Sequence, residues 1–113
     1  MPTKIPPKIA RGSAELAILS LLAQQPLYGF EIGKQIEERT GGALRFQLAS
    51  LYLMLYDLEK RGLINGKWQE NGTGRDRRYY HLTSAGKKAL EPLKREWRAF
   101  FRALDQLAGL NHA

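Results

Sequence analysis

The chain has no cysteine, so disulfide bonds, cysteine-held zinc and a thiol nucleophile are all excluded. Histidine is nearly absent as well. Only His81 and His112 occur, and no Ser/His/Asp order, phosphate loop, dinucleotide fingerprint or metal-ligand spacing accompanies them. An enzyme is therefore not expected, nor is a cofactor or a metal. No apolar run reaches the length of a bilayer span; the longest, Leu16 to Ala23, is broken by Ser20. The opening MPTKIPPKIARGS has prolines and bases but no apolar stretch, so it does not read as a signal peptide. A cytoplasmic protein without a membrane partner is the expectation.

Acidic residues are also in short supply. Eleven face 18 lysines and arginines, a net charge of +7 in 113 residues. That excess favours a polyanionic partner, nucleic acid before an anionic membrane surface. At this length one domain with a modest core is expected, and a long helix outside that core would need a partner.

Residues 1–12 read as a basic arm. Pro2, Pro6 and Pro7 argue against helix, and Lys4, Lys8 and Arg11 supply charge. Such an arm is either a disordered terminus or a segment lying along phosphates. Ser13 is then a candidate N-cap for a first helix that is apolar on most of its surface, from Leu16 to Leu22, and that Gln25-Pro26 stops. A second helix is expected from Tyr28-Gly29 to about Thr40, burying Phe30, Ile32 and Ile36 and ending at Gly41-Gly42. A third is expected from about Ala49 to Arg61, with Gly62 beyond its end. Leu51, Met54, Leu55 and Leu58 share its inner face at helical spacing, while Ala49, Leu53, Tyr56 and Lys60 lie opposite.

Two strand-like runs follow, Leu63–Glu70 and Arg78–Leu82. Asn71-Gly72-Thr73-Gly74 between them suits a hairpin turn. Arg75, Arg77 and Arg78 cluster beside that turn, and Trp68 is expected to cover the core. Thr83 or Ser84 caps a last helix that runs to about Ala108. Its Leu90, Leu93, Trp97, Phe100, Leu104 and Leu107 are spaced 3, 4, 3, 4 and 3 residues apart, a heptad seam that Phe101 widens. Pro92 inside it predicts a bend near 88–92.

The resulting order is helix, helix, turn, helix, basic hairpin and long helix. It is a mainly α fold with a small β-hairpin: a winged helix-turn-helix over 13–83 and a C-terminal dimerisation helix over 84–113. In such a fold the second helix of the pair enters the DNA major groove with its N-terminal residues leading. Gln47, Ser50, Tyr52, Leu53 and Tyr56 are the candidate readers, with Lys60 at the far end of their face. Arg75, Arg77 and Arg78 are candidate phosphate clamps. For Tyr52 the alternative is packing on a neighbouring helix. For Arg77 or Arg78 it is an ion pair with a nearby acid. Leu90, Leu93, Trp97, Phe100, Phe101, Leu104 and Leu107 are the candidate dimer interface. Trp97 and Phe100 are either plain interface core or the walls of a site for a small planar aromatic effector.

The segments PLYGFEIGKQIEERTGG, SLYLMLYDLEKRGLI, a following Trp and GRDRRYYHLTSAGKKAL together resemble the PadR family of transcriptional repressors, over roughly Arg11 to Leu90. The resemblance implies a winged helix with an added dimerisation helix, and repressors released by phenolic acids or planar drugs. Two positions depart from the family pattern. Leu53 stands where the helix usually carries Pro after Leu-Tyr, and Asp76 where the wing usually carries Pro after Gly-Arg. The expected function is a ligand-responsive repressor that binds double-stranded DNA at a palindromic operator as a homodimer. The alternatives are a winged-helix protein-interaction module and a non-specific nucleic-acid binder.

Overall fold

The computed structural model describes residues 7–70 and 76–110, with side chains from Gly12 onward. Chain order gives α1 (Pro7–Gln24), β1 (Leu27–Tyr28), α2 (Gly29–Arg39), α3 (Leu48–Lys60), β2 (Ile64–Glu70), β3 (Asp76–Leu82) and α4 (Ser84–Ala108). The strands form one antiparallel sheet in the order β1-β3-β2, with Leu27 opposite Tyr80 and Gly66 opposite Tyr80 on the other side.

Helix α1 begins at Pro7, not at Ser13. Proline has no amide proton to lose in the first turn, where that proton has no helical partner anyway, and its fixed φ already suits a helix. Pro7 thus opens a helix, and residues 1–6 of the expected arm lie outside those described. Two residues, Leu27 and Tyr28, add a third strand to the expected hairpin. A pair is too short to show any period in sequence.

The core is built where the helical spacing put it. Ile18 and Leu19 of α1, Ile32 of α2, Leu51 and Leu55 of α3, and Ile64 of β2 are fully buried. Phe30, expected on the inner face of α2, is exposed, and Gly29 takes the buried place beside Ile32 and Ile36. Trp68 does not cover the core either: it is 65% exposed. Burial fades along β2 from Ile64 outward, because the hairpin runs past the edge of the helical layer.

Thr83 rather than Ser84 caps α4, its Oγ1 accepting from the Gly86 amide at 3.0 Å. The same hydroxyl donates to the Gly62 carbonyl at 2.6 Å, and the Thr83 amide donates to the Leu63 carbonyl at 3.1 Å. The start of α4 is therefore fastened to the segment leaving α3. Gly86 permits this approach, since a Cβ there would strike the Leu63 carbonyl. From there α4 runs unbroken through exposed Pro92 to Gly109, whose left-handed φ of 64° closes the helix. Its 25 residues make about 37 Å of helix. The radius of gyration is 15.5 Å, against about 13 Å for a compact chain of this length. The far half of α4 projects. Among the described residues no helix is long and apolar enough to cross a membrane.

Two glycines in helices should respond oppositely to alanine. At Gly12 nothing lies within 4 Å of an added Cβ, so Gly12→Ala is expected to stabilise by up to about 1 kcal/mol. Gly86→Ala forces α4 off the Leu63 backbone and is expected to destabilise by about 1–3 kcal/mol. Urea unfolding of both variants checks this, and equal shifts would contradict the packing described.

Candidate nucleic-acid interface

Helix α3 divides cleanly. Leu51, Leu55 and Leu58 point into the core, while Leu53 (71%) and Tyr56 (68%) stand open to solvent. Gln47, Ala49 and Lys60 are exposed too, and Ser50 is half-buried. Gln47 is the N-cap residue, with extended backbone and no side-chain capping bond, so its amide group is not engaged in closing the helix. Leu53 also walls an open groove of about 330 Å³ between α1 and α3, with Ala14, Glu15, Met54, Asp57 and Leu58.

Tyr52 packs on a neighbouring helix, the alternative offered for it, and still keeps a solvent-facing edge. Its ring rests on Gly29, the first residue of α2, where a Cβ would lie 2.9 Å from the phenol oxygen. It remains 46% exposed. Its hydroxyl is thereby held at the start of α2 rather than left to swing.

The two described arginines of the hairpin behave differently. Arg77 is exposed, and its guanidinium sits 4.4 Å above the Tyr28 ring, which meets Tyr79 edge-on at 5.6 Å. A cation stacked in this way is aimed but still available to a phosphate. Arg78 turns inward. Its Nη2 donates to Glu59 Oε2 of α3 at 2.5 Å, and the Gly66 amide donates to the same oxygen at 3.1 Å. The guanidinium also lies within 6 Å of the Trp68 and Tyr80 rings. Glycine at 66 leaves room for this, because a Cβ would come 2.6 Å from Arg78 Cζ and push the guanidinium aside. This clamp ties the hairpin to α3; it is the ion pair offered as the alternative for Arg77 or Arg78, and the structure gives it to Arg78 with Glu59, a partner the sequence does not single out. The available signal was a glycine inside a strand, which marks a close approach. Arg75 and the turn at 71–74 lie outside the described residues.

The arginine that follows α3 is paired. Arg61, just past α3, donates to Glu15 of α1 at 2.5 Å and to Asp57 at 3.2 Å. Hydrogen bonding to Glu15, then to Asp57, raises the Arg61 pKa further, so it stays charged. Burial pushes the Tyr80 phenol above its ordinary 10.0, against the opposing pull of the Arg78 charge. Among the described residues no group of three His, Asp or Glu side chains could hold a metal ion.

The heptad seam of α4 is split by the fold. Leu90 is 5% exposed and belongs to the chain's own core, with Leu93 packed against it. Leu90 was grouped with the interface because heptad spacing alone does not reveal which partner a position meets. Beyond Leu93 the described residues supply no such cover. Trp97 and Leu104 are half-buried, Phe100 is 51% exposed, Phe101 58% and Leu107 87%. The rings of Trp97, Phe100 and Phe101 form one patch, with centroids 5.7–6.1 Å apart.

The family model described as transcriptional regulator PadR-like matches residues 18–92. A transcriptional regulator from Clostridium thermocellum superposes with a TM-score of 0.84 at 30% identity, over 92% of this chain and 98% of that one. A PadR family regulator from Clostridium difficile gives 0.76 at 34% identity, over 85% and 98%. An uncharacterised protein from Lysinibacillus sphaericus is 34% identical over 97 residues, 86% of this chain and 89% of its own length.

The clamp gives a direct test. Glu59→Ala leaves Arg78 without its counter-ion and the Gly66 amide without its acceptor. Because the pair is about one-third exposed, the expected loss is only about 1 kcal/mol. The Gly66 amide should exchange with solvent markedly faster while the amides of Ile32 and Leu55 hold. Unchanged Gly66 exchange would mean that Glu59 does not fasten the hairpin.

Proposed function

The chain belongs to the PadR-like family of transcriptional regulators, and on that premise we propose that it is a homodimeric repressor reading a palindromic operator under the control of a small ligand. The carrying observation is an exposed reading helix flanked by an aimed arginine. Helix α3 keeps its core contacts on one side and leaves Gln47, Leu53 and Tyr56 on the other, while Arg77 stands over Tyr28 at the adjoining strand. In a winged helix these would enter the major groove and grip the backbone beside it. A net charge of +7 draws the domain to the duplex.

A single α3 reads one short half-site. Two copies paired through Trp97, Phe100, Phe101, Leu104 and Leu107 would present two, about 34–36 Å apart or a multiple of that. Repression follows from occupying the operator. The patch of three rings on α4 also supports control by a planar aromatic ligand. Such a molecule could stack between aromatic faces where two protomers meet, and it would shift the spacing of the reading helices.

Selection from random duplex DNA tests this reading: an inverted repeat should be recovered. Affinity for it should fall steeply with salt, and Arg77→Ala should weaken binding at every sequence and reduce the salt slope by about one. Recovery of no preferred sequence, or salt-independent binding, would contradict it.

A further inference from the structure

The outer face of the reading helix has no charge over most of its length. From Leu48 to Tyr56 there is no Lys, Arg, Asp or Glu. Four large apolar or aromatic side chains are exposed there instead: Leu48 (46%), Tyr52 (46%), Leu53 (71%) and Tyr56 (68%). Tyr52 has a packing partner in Gly29, but the core does not call for Leu48, Leu53 or Tyr56, because Leu51, Leu55 and Leu58 already fill it. Charge lies around the strip rather than on it. Arg45, ion-paired with Glu37, precedes α3, Lys60 closes it, and Lys67 and Arg77 stand on the neighbouring hairpin, all exposed; the one acid beside the strip on α3, Asp57, is bonded to Arg61.

An apolar centre with a cationic perimeter fits a ligand that is anionic at its edges and apolar along its floor. The major groove of duplex DNA has that form. Its walls are phosphates, and the apolar group on its floor is the thymine 5-methyl. Reading guanine with a bidentate Arg or Lys, or cytosine with a carboxylate, needs residues that this stretch of α3 does not carry. The amide of Gln47, free of capping duty, has the donor and acceptor pair that suits adenine, the base opposite thymine.

We infer that α3 selects its half-site through thymine methyl groups, with Leu53 as the central contact and Leu48 and Tyr56 to either side. This rests on the duplex-DNA reading above and specifies its chemistry. The operator half-sites are A·T-rich at the positions that α3 covers, and preference for them comes from apolar burial rather than from charged hydrogen bonds.

The test replaces thymine by deoxyuracil, which pairs identically but lacks the methyl, at single positions of a duplex recovered by selection. Each contacted methyl removed should weaken binding by about fourfold, the worth of burying one methyl-sized group. Leu53→Ala, a change at an exposed position, should bind the thymine and uracil duplexes alike at the central position. That arm separates direct contact from duplex shape, since an effect of shape alone would persist in the variant. Equal affinity of the unmodified protein for both duplexes would overturn the inference and leave the DNA reading standing. So would a uracil penalty that Leu53→Ala leaves intact. Failure to bind any selected duplex in dilute salt would overturn the DNA reading itself, and this inference with it.

Discussion

The outer half of α4 carries an apolar face for which the described residues supply no partner. Its first turns are anchored by Gly86, Leu90 and Leu93, but Phe100, Phe101 and Leu107 are left largely bare. An isolated helix of that length is marginal in water, and helices in proteins take most of their stability from packing an amphipathic face. Aromatic side chains that each bury about 150–250 Å² when covered make a strong case for a second helix on this one. In the proposed dimer that helix comes from another copy, and every later property depends on it: two reading helices per assembly, a fixed distance between them, and an operator with matching symmetry.

In the proposed dimer, bonds at the end of α3 would make that distance transmissible. Thr83 joins the beginning of α4 to the carbonyls of Gly62 and Leu63, directly after α3 ends. Glu59, near the end of α3, holds Arg78 and Gly66 of the hairpin. Arg61 bonds back to Glu15 on α1. The C-terminal end of α3 is thus a junction for α1, both long strands and α4. A change in how two α4 helices cross would be carried to α3 as a rigid movement, not absorbed by loops. This is the mechanical basis on which a ligand between the α4 helices could alter DNA binding.

Much of this was legible in the residues. The limits of α2 and α4, the inner face of α3 and the seam of α4 follow from apolar spacing, glycine stops and one threonine cap, all of which are local signals. The misreadings share a different cause. Proline at 7 opens a helix instead of forbidding one, and only the neighbouring chain decides which. Phe30 and Trp68 sit at positions whose burial depends on how far the helical layer extends, which no local pattern records. Leu90 obeys the same heptad as Leu104 yet faces the chain's own core. An ion pair for one of Arg77 and Arg78 was legible, but that Arg78 takes it with Glu59, 19 residues away, was not. For the reading face, the exposure of Leu53 was legible as an apolar residue on an outer helical position, whereas the seating of Tyr52 on Gly29 required the packed structure.

The central claim is that two chains, joined through the free half of α4, grip one duplex. The mass of the complex on a single selected operator measures this most directly, by sedimentation or light scattering in dilute salt. The account predicts one duplex carrying two 12.8 kDa chains, with Trp97→Ser/Phe100→Ser abolishing that species. One chain per operator, or a complex of two chains that survives the double substitution, would contradict it.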